Sequence, residues 1–133
     1  VIFVDTAAFY ALADASDPNH AAARAELERL RAANGTLVTH EYVLVEATAL
    51  IQHRLGLTPL RLFVDGLLPV IEVVWVDAHL HTEAREALLA AGRREVSLVD
   101  WTSFLLMRRL GIAQAFTFDA GFAAEGFEVI PAS

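Results

Sequence analysis

The chain has no cysteine and no lysine. Without thiolates it offers a metal only harder donors, and the missing cysteine agrees with a reducing compartment. All ten basic side chains are arginine, whose fork suits bidentate phosphate contacts, although genomic composition bias yields the same pattern. Long apolar runs are absent too. Pro69 and Glu72 interrupt residues 67–76, and Arg54 and Arg61 interrupt the segments before them, so nothing reaches the roughly 18 apolar residues of a membrane span. No basic n-region leads into an apolar h-region, and a cytoplasmic protein off the membrane is expected. Positive charge is short as well: the net charge is −7, the wrong sign for holding nucleic acid by bulk electrostatics. A polyanionic substrate has to be attracted locally. Internal repeats, linkers and low-complexity tracts are missing.

What is present is apolar. The 133 residues fit one compact domain, 1–133. Apolar residues make up 56% of the chain and the mean hydropathy is +0.45, rich for a small protein that must also solvate its outside. Surplus apolar surface points to an interface. Residues 41–68 carry the surplus: Tyr42, Leu44, Leu50, Leu55, Leu60 and Leu62 among others exceed what one buried face uses. They are the expected dimer and partner surface.

Periodicity and turn chemistry divide the chain into elements. Residues 1–5 read as a strand and 6–13 as a short helix. Asp17-Pro18 reads as the start of a second helix stopped by Asn34-Gly35, with Ala23, Leu27 and Leu30 facing the body and Arg24, Glu26, Glu28, Arg29 and Arg31 facing water. Residues 36–39 form a strand, 41–55 a helix closed by Gly56, and Thr58-Pro59 opens a helix to about Leu68. Further strands are expected at 71–76, 114–118 and 127–130. Asp77 caps a helix to Ala91, and a helix over 99–110 ends at Gly111. The alternation predicts an α/β fold with a mostly parallel sheet and helices on both faces.

Four carboxylates need their own account: Asp5, Glu46, Asp100 and Asp119. Asp5 and Asp119 end apolar strands, at the edge where open α/β sheets bind ligands. Glu46 and Asp100 lie in apolar helical patterns, where a carboxylate needs a partner. Two like charges about 5 Å apart at an effective dielectric of about 20 repel by roughly 3 kcal/mol. Six such pairs rival the roughly 5–15 kcal/mol of a domain's net stability. Such a cluster must protonate, splay apart or hold a hard cation such as Mg²⁺ or Mn²⁺. Mutual repulsion would raise the folded-state pKa values, so metal-free protein would gain stability as pH falls from neutral towards about 5. Singly, each acid has an ordinary reading: Asp5 and Asp100 as helix caps, Asp119 as a turn residue before Gly121, Glu46 paired with Arg54 or Arg24. A phosphatase-type nucleophile at Asp5 is excluded, because that chemistry needs a second Asp two positions on, where this chain has Ala7.

The pieces FVDTAAFYAL, VLVEATAL, SLVDWTSFLLMRRLGI and AFTFDAGFAAEGFEVI, which together cover nearly the whole chain, resemble the PIN-domain ribonucleases, most closely the VapC-type toxins of bacterial toxin–antitoxin pairs. One departure is Gly121, where some relatives have a further Asp or a His. The resemblance implies a five-stranded PIN-like sheet and a divalent-metal-dependent endoribonuclease acting as a toxin. It implies one or two Mg²⁺ or Mn²⁺ ions held by Asp5, Asp100 and Asp119, with Glu46 accepting hydrogen bonds from water on the ion. It also implies an RNA substrate, a homodimer, and a cognate antitoxin that lays a peptide on the apolar helices and sends a basic side chain into the acidic site. Thr6, Ser103 and Thr117 match polar positions of the family motifs and would orient a carboxylate or water; an ordinary backbone-bonded hydroxyl stays open for each.

Arg93, Arg94, Arg108 and Arg109 flank the Asp100 segment as candidate phosphate contacts, against the alternative of a solvated face. His79 and His81, two apart on a helix, point away from each other, and with His20, His40 and His53 are read as non-catalytic. Trp75 is expected in the core, and Trp101 is open between core and base stacking. Two other functions stay in view: a housekeeping RNA-processing nuclease of the same fold, and a PIN-like binding module without catalysis.

Overall fold

The computed structural model describes residues 1–132. Among them, five strands form one wholly parallel sheet in the order β3-β2-β1-β4-β5. The strands are β1 (Ile2–Val4), β2 (Leu37–His40), β3 (Glu72–Val74), β4 (Gln114–Phe116) and β5 (Glu128–Ile130). β1 is fully buried at the centre, as an apolar run covered on both faces requires.

The helices are α1 (Thr6–Ala13), α2 (His20–Ala32), α3 (Glu41–Leu55), α4 (Leu57–Leu62), α5 (Ala78–Ala91), α6 (Leu98–Leu110) and α7 (Gly121–Ala124). From β1 to β3 the chain steps one way along the sheet, and after β3 it crosses back to β4. Right-handed crossovers put the helices of the first leg on one face and α5 and α6 on the other. α1 packs on α2 and α3, while α5 packs on α6. Phe3, Phe104, Phe116 and Phe122 fill the core between the layers, with the Phe104 and Phe122 rings edge to face at 4.9 Å.

Several local expectations need correction. α2 begins at His20, because Asp17 spends its Oδ1 on the Asn19 amide in a turn and does not cap the helix. Glu26 does not face water: it is 6% exposed, with Arg29 closing on it through two hydrogen bonds of 2.6 and 2.9 Å. The segment after Gly56 continues through a widened turn (Phe63–Leu67) and a tight one (Leu68–Val70) instead of stopping at Pro69. Trp75 lies beyond β3 and is 73% exposed.

Candidate active site

The sheet order reverses at β1, so the crevice between the carboxyl ends of β1 and β4 is its switch point. Asp5 follows β1 there. Its backbone amide donates to the Phe116 carbonyl at 3.1 Å, extending the ladder one residue past the strand. Its carboxyl is 4% exposed. Thr117, just past β4, donates its hydroxyl to Asp5 Oδ2 at 2.8 Å and accepts the Asp119 amide at 3.0 Å. One buried hydroxyl thus ties the first acid to the last.

Asp119 turns back, and its Oδ1 accepts the Gly121 amide at 2.9 Å. Asp100 is the third residue of α6. It completes a capping box in which Ser97 Oγ accepts the Asp100 amide at 3.1 Å and Asp100 Oδ2 accepts the Ser97 amide at 2.8 Å. Asp119 is thus the turn residue of its ordinary reading, whereas Asp100 is not the N-cap, which is Ser97, but that residue's capping-box partner three positions on. Each uses only one carboxylate oxygen. The other oxygen of each has no protein donor among the described residues.

Burial pushes the Asp5 carboxyl up to about 7, the Asp100 and Asp119 charges add to the shift, and the Thr117 hydroxyl and Thr6 amide oppose it. Asp100 is half-buried and also raised, by burial first and by the Asp119 charge last, against the hydrogen bonds of Ser97. Mutual repulsion is thus present but secondary to desolvation. The acids are also splayed: no three His, Asp or Glu side chains among the described residues converge as a ready cation cage. Glu46 is the outlier. It stands exposed on α3, and it is not among the charges that reach Asp5 or Asp100. The alternative ion pairs for it fail: Arg24 lies 3.8 Å from Glu28 and Arg54 sits over the Tyr10 ring.

No arginine or histidine among the described residues pairs with any of the four acids. The Thr6 hydroxyl, next to Asp5, is buried without a partner, a polar atom whose desolvation only a ligand or water offsets. Oxygen-only donors, free carboxylate oxygens and an orphaned hydroxyl fit a hard divalent cation, provided the acids draw together around it.

Ser103 follows the backbone-bonded alternative. Its one proton goes to the Val99 carbonyl at 3.0 Å, and its oxygen faces His40 Nε2 at 2.9 Å, so it bonds no carboxylate directly. Of the candidate phosphate contacts, Arg93 pairs with Glu95, Arg108 with Glu125 and Arg109 with Asp77. Arg94 alone is exposed without an ion pair among the described residues. The Trp101 indole is half-buried edge-on against Phe104, with its N–H buried and unpartnered. The Ser97–Asp100 box went unread in the sequence, although S-x-x-D before an apolar run is its signature.

An open parallel sheet with aspartates on its switch point and no cationic side chain against them defines an α/β protein with an acidic crest site. The chain belongs to the PIN-domain family, whose model matches residues 2–127; nucleases of this family generally use divalent metals. It is 40% identical to the 23S rRNA-specific endonuclease VapC20 of Mycobacterium tuberculosis, over 98% of this chain and 99% of the relative. The crystal structure of VapC20, described as a sarcin–ricin loop cleaving toxin, matches with a TM-score of 0.83 at 37% identity, covering 96% of each chain. FitAcB from Neisseria gonorrhoeae shares the fold at 17% identity, with a TM-score of 0.69 over 97% of this chain and 96% of that one.

Proposed function

We propose that this protein is a divalent-metal-dependent endoribonuclease, the toxin of a toxin–antitoxin pair, and that it cuts a structured loop of 23S ribosomal RNA. The observation that carries the reading is Asp5: a carboxyl 4% exposed, held at the switch point by Thr117 with Asp100 and Asp119 acting on it and no cation beside it. The ribosomal target rests on near full-length similarity to an endonuclease of that specificity.

Asp5, Asp100 and Asp119 would hold one or two Mg²⁺ or Mn²⁺ ions. When bound, such an ion supplies Lewis-acid stabilisation of phosphate charge and a more acidic water at neutral pH. Thr117 fixes the Asp5 carboxylate, Thr6 supplies a hydroxyl beside it, and Ser97 aims Asp100. Glu46, exposed on α3 and free of ion pairs among the described residues, would accept a hydrogen bond from water on the ion once the acids draw together around it. Water attack in line leaves a 3′-OH and a 5′-phosphate. Arg94 is the arginine best free to meet a phosphate.

The antitoxin surface is the groove of about 500 Å³ between α1, α2 and the α4 segment, lined by Leu12, Leu27, Pro59, Leu62, Phe63 and Leu67 with Arg24 and Arg31 at its edge. Leu62 in it is exposed, and a second, smaller hollow on the same segment is lined by exposed Leu57 and Val64, apolar surface of the kind that marks a partner or a second protomer.

The test is digestion of ribosomes and of total cellular RNA by antitoxin-free protein, with Mg²⁺ or Mn²⁺, with chelator, and with Asp100→Asn. Discrete 23S fragments are expected, lost with chelator and reduced at least a hundredfold in Asp100→Asn. Cleavage that survives chelation or the Asp100 substitution would sink the assignment.

A further inference from the structure

We propose that Thr39 and His40, consecutive residues at the carboxyl end of β2, are positioning residues that set Asp5 and Asp100 relative to each other. Both are fully buried polar side chains, 0% exposed. Thr39 donates its hydroxyl to the Val4 carbonyl at 2.9 Å, on the residue before Asp5. β1–β2 pairing ends at Phe3↔Val38, so this side-chain bond extends the join to the site.

His40 reaches the other way. Its Nδ1 accepts the Val43 amide at 3.3 Å and caps α3, which puts the ring proton on Nε2 and makes Nε2 the donor to Ser103 Oγ at 2.9 Å. Ser103 then donates its single proton to the Val99 carbonyl at 3.0 Å, on the residue before Asp100. Every link has one proton and one direction. Both ring nitrogens are used, and the ring is wedged against Phe3 of β1 at 5.6 Å. The chain from Val43 through His40 and Ser103 to Val99 is the polar join from β2 to α6, and it crosses an otherwise apolar core.

The acids come from elements remote in sequence and do not yet converge as a cage, so their spacing depends on such joins. Sites of this kind tolerate only about 0.5 Å of drift, and partners that orient ligands from behind typically contribute 10–100-fold in metal affinity. The inference rests on the metal-site reading above.

Mn²⁺ affinity, measured by calorimetry on RNA-free protein, tests it without cleavage. His40→Asn keeps an acceptor for the Val43 amide but falls short of Ser103, while Ser103→Ala removes a single oxygen. Each is expected to weaken Mn²⁺ binding about tenfold. The double variant should be no weaker than the worse single one, because both cut the same chain. Ile51→Val, a core change on the buried face of α3, lowers the melting temperature and leaves the affinity unchanged. Folded His40→Asn and Ser103→Ala that melt earlier but bind Mn²⁺ like the parent would show a merely structural network and overturn the proposal. Absence of Mn²⁺ binding by the parent would overturn the metal-site reading and this inference with it, an outcome distinct from the first.

Discussion

Asp5 and His40 are buried side chains whose ionisation runs against their surroundings, and their effects on stability have opposite signs. Burial raises Asp5 to about 7 from 3.8, so between those values the folded state holds a proton that the unfolded chain releases. Stability from this group is complete below pH 4 and lost as pH rises towards 7, on the order of 4 kcal/mol in all. Burial lowers His40 to about 4 from 6.5, so its contribution is complete above pH 6.5 and lost as pH falls towards 4, on the order of 3 kcal/mol. The lowered carboxylates Asp77 and Glu95, exposed, and Asp14, half-buried, act mainly at more acid pH. Asp100, also raised by burial, adds to the Asp5 side of the balance. Metal-free protein is therefore expected to gain stability only slightly as pH falls from 6.5 to 4, less than carboxylates without the opposing His40 would give. Single substitutions should uncouple the halves. In melting curves Asp5→Asn should gain stability as pH rises from 4 to 6.5, and His40→Asn should lose it across 4 to 7. Two variants that both track the parent would mean that neither group is buried as described.

At the scale of elements, α6 is where folding and chemistry share a device. Ser97→Ala deletes the hydroxyl that accepts the Asp100 amide and should cost about 1 kcal/mol in urea unfolding. Its effect on cleavage should stay under tenfold, because Asp100 Oδ2 still accepts the amide of residue 97. A larger loss of rate than of stability would mean that the hydroxyl itself serves the reaction. The helices α1, α3 and α5 begin and end where apolar spacing and the residues Asp77, Gly56 and Gly92 put them. β3 and β4 are shorter than their apolar runs. β4 stops at Phe116, after which the Thr117 hydroxyl serves Asp5; β3 stops at Val74, and the Val76 amide turns to the Glu41 carboxylate at 2.8 and 3.0 Å. Hydrophobic pattern marks where a chain is buried, not where it leaves the ladder to build a site. Asp5, Asp100 and Asp119 stand out in the sequence because they interrupt apolar patterns; Glu46 stands out in the same way, yet its charge does not reach Asp5 or Asp100. Long-range links such as Thr39 to Val4 and His40 to Ser103 leave no local period, and they were not legible.

At the scale of the molecule, the acidic crest and the apolar groove are separate surfaces, and inhibition should be separable from catalysis. Leu62 lines the groove and is 70% exposed, so replacing it removes little buried area and should change folding stability by no more than about 0.5 kcal/mol. An apolar side chain that a partner covers fully contributes roughly 1.5–3 kcal/mol on burial, and a carboxylate in its place adds the desolvation cost of a charge. Leu62→Asp should therefore weaken the antitoxin at least tenfold while free toxin cleaves at the parental rate. Titrating antitoxin into a cleavage assay reads both quantities: the rate without antitoxin should be unchanged, and the concentration for half-inhibition should rise. A net charge of −7 sharpens the contrast, since a basic antitoxin segment drawn to the acidic crest would keep some hold on the variant. Raising salt should then release Leu62→Asp complexes before parental ones, because the variant keeps the screened part of the interaction and has lost the apolar part. Parental inhibition by Leu62→Asp at every salt concentration would place the antitoxin elsewhere and leave the groove to a second protomer.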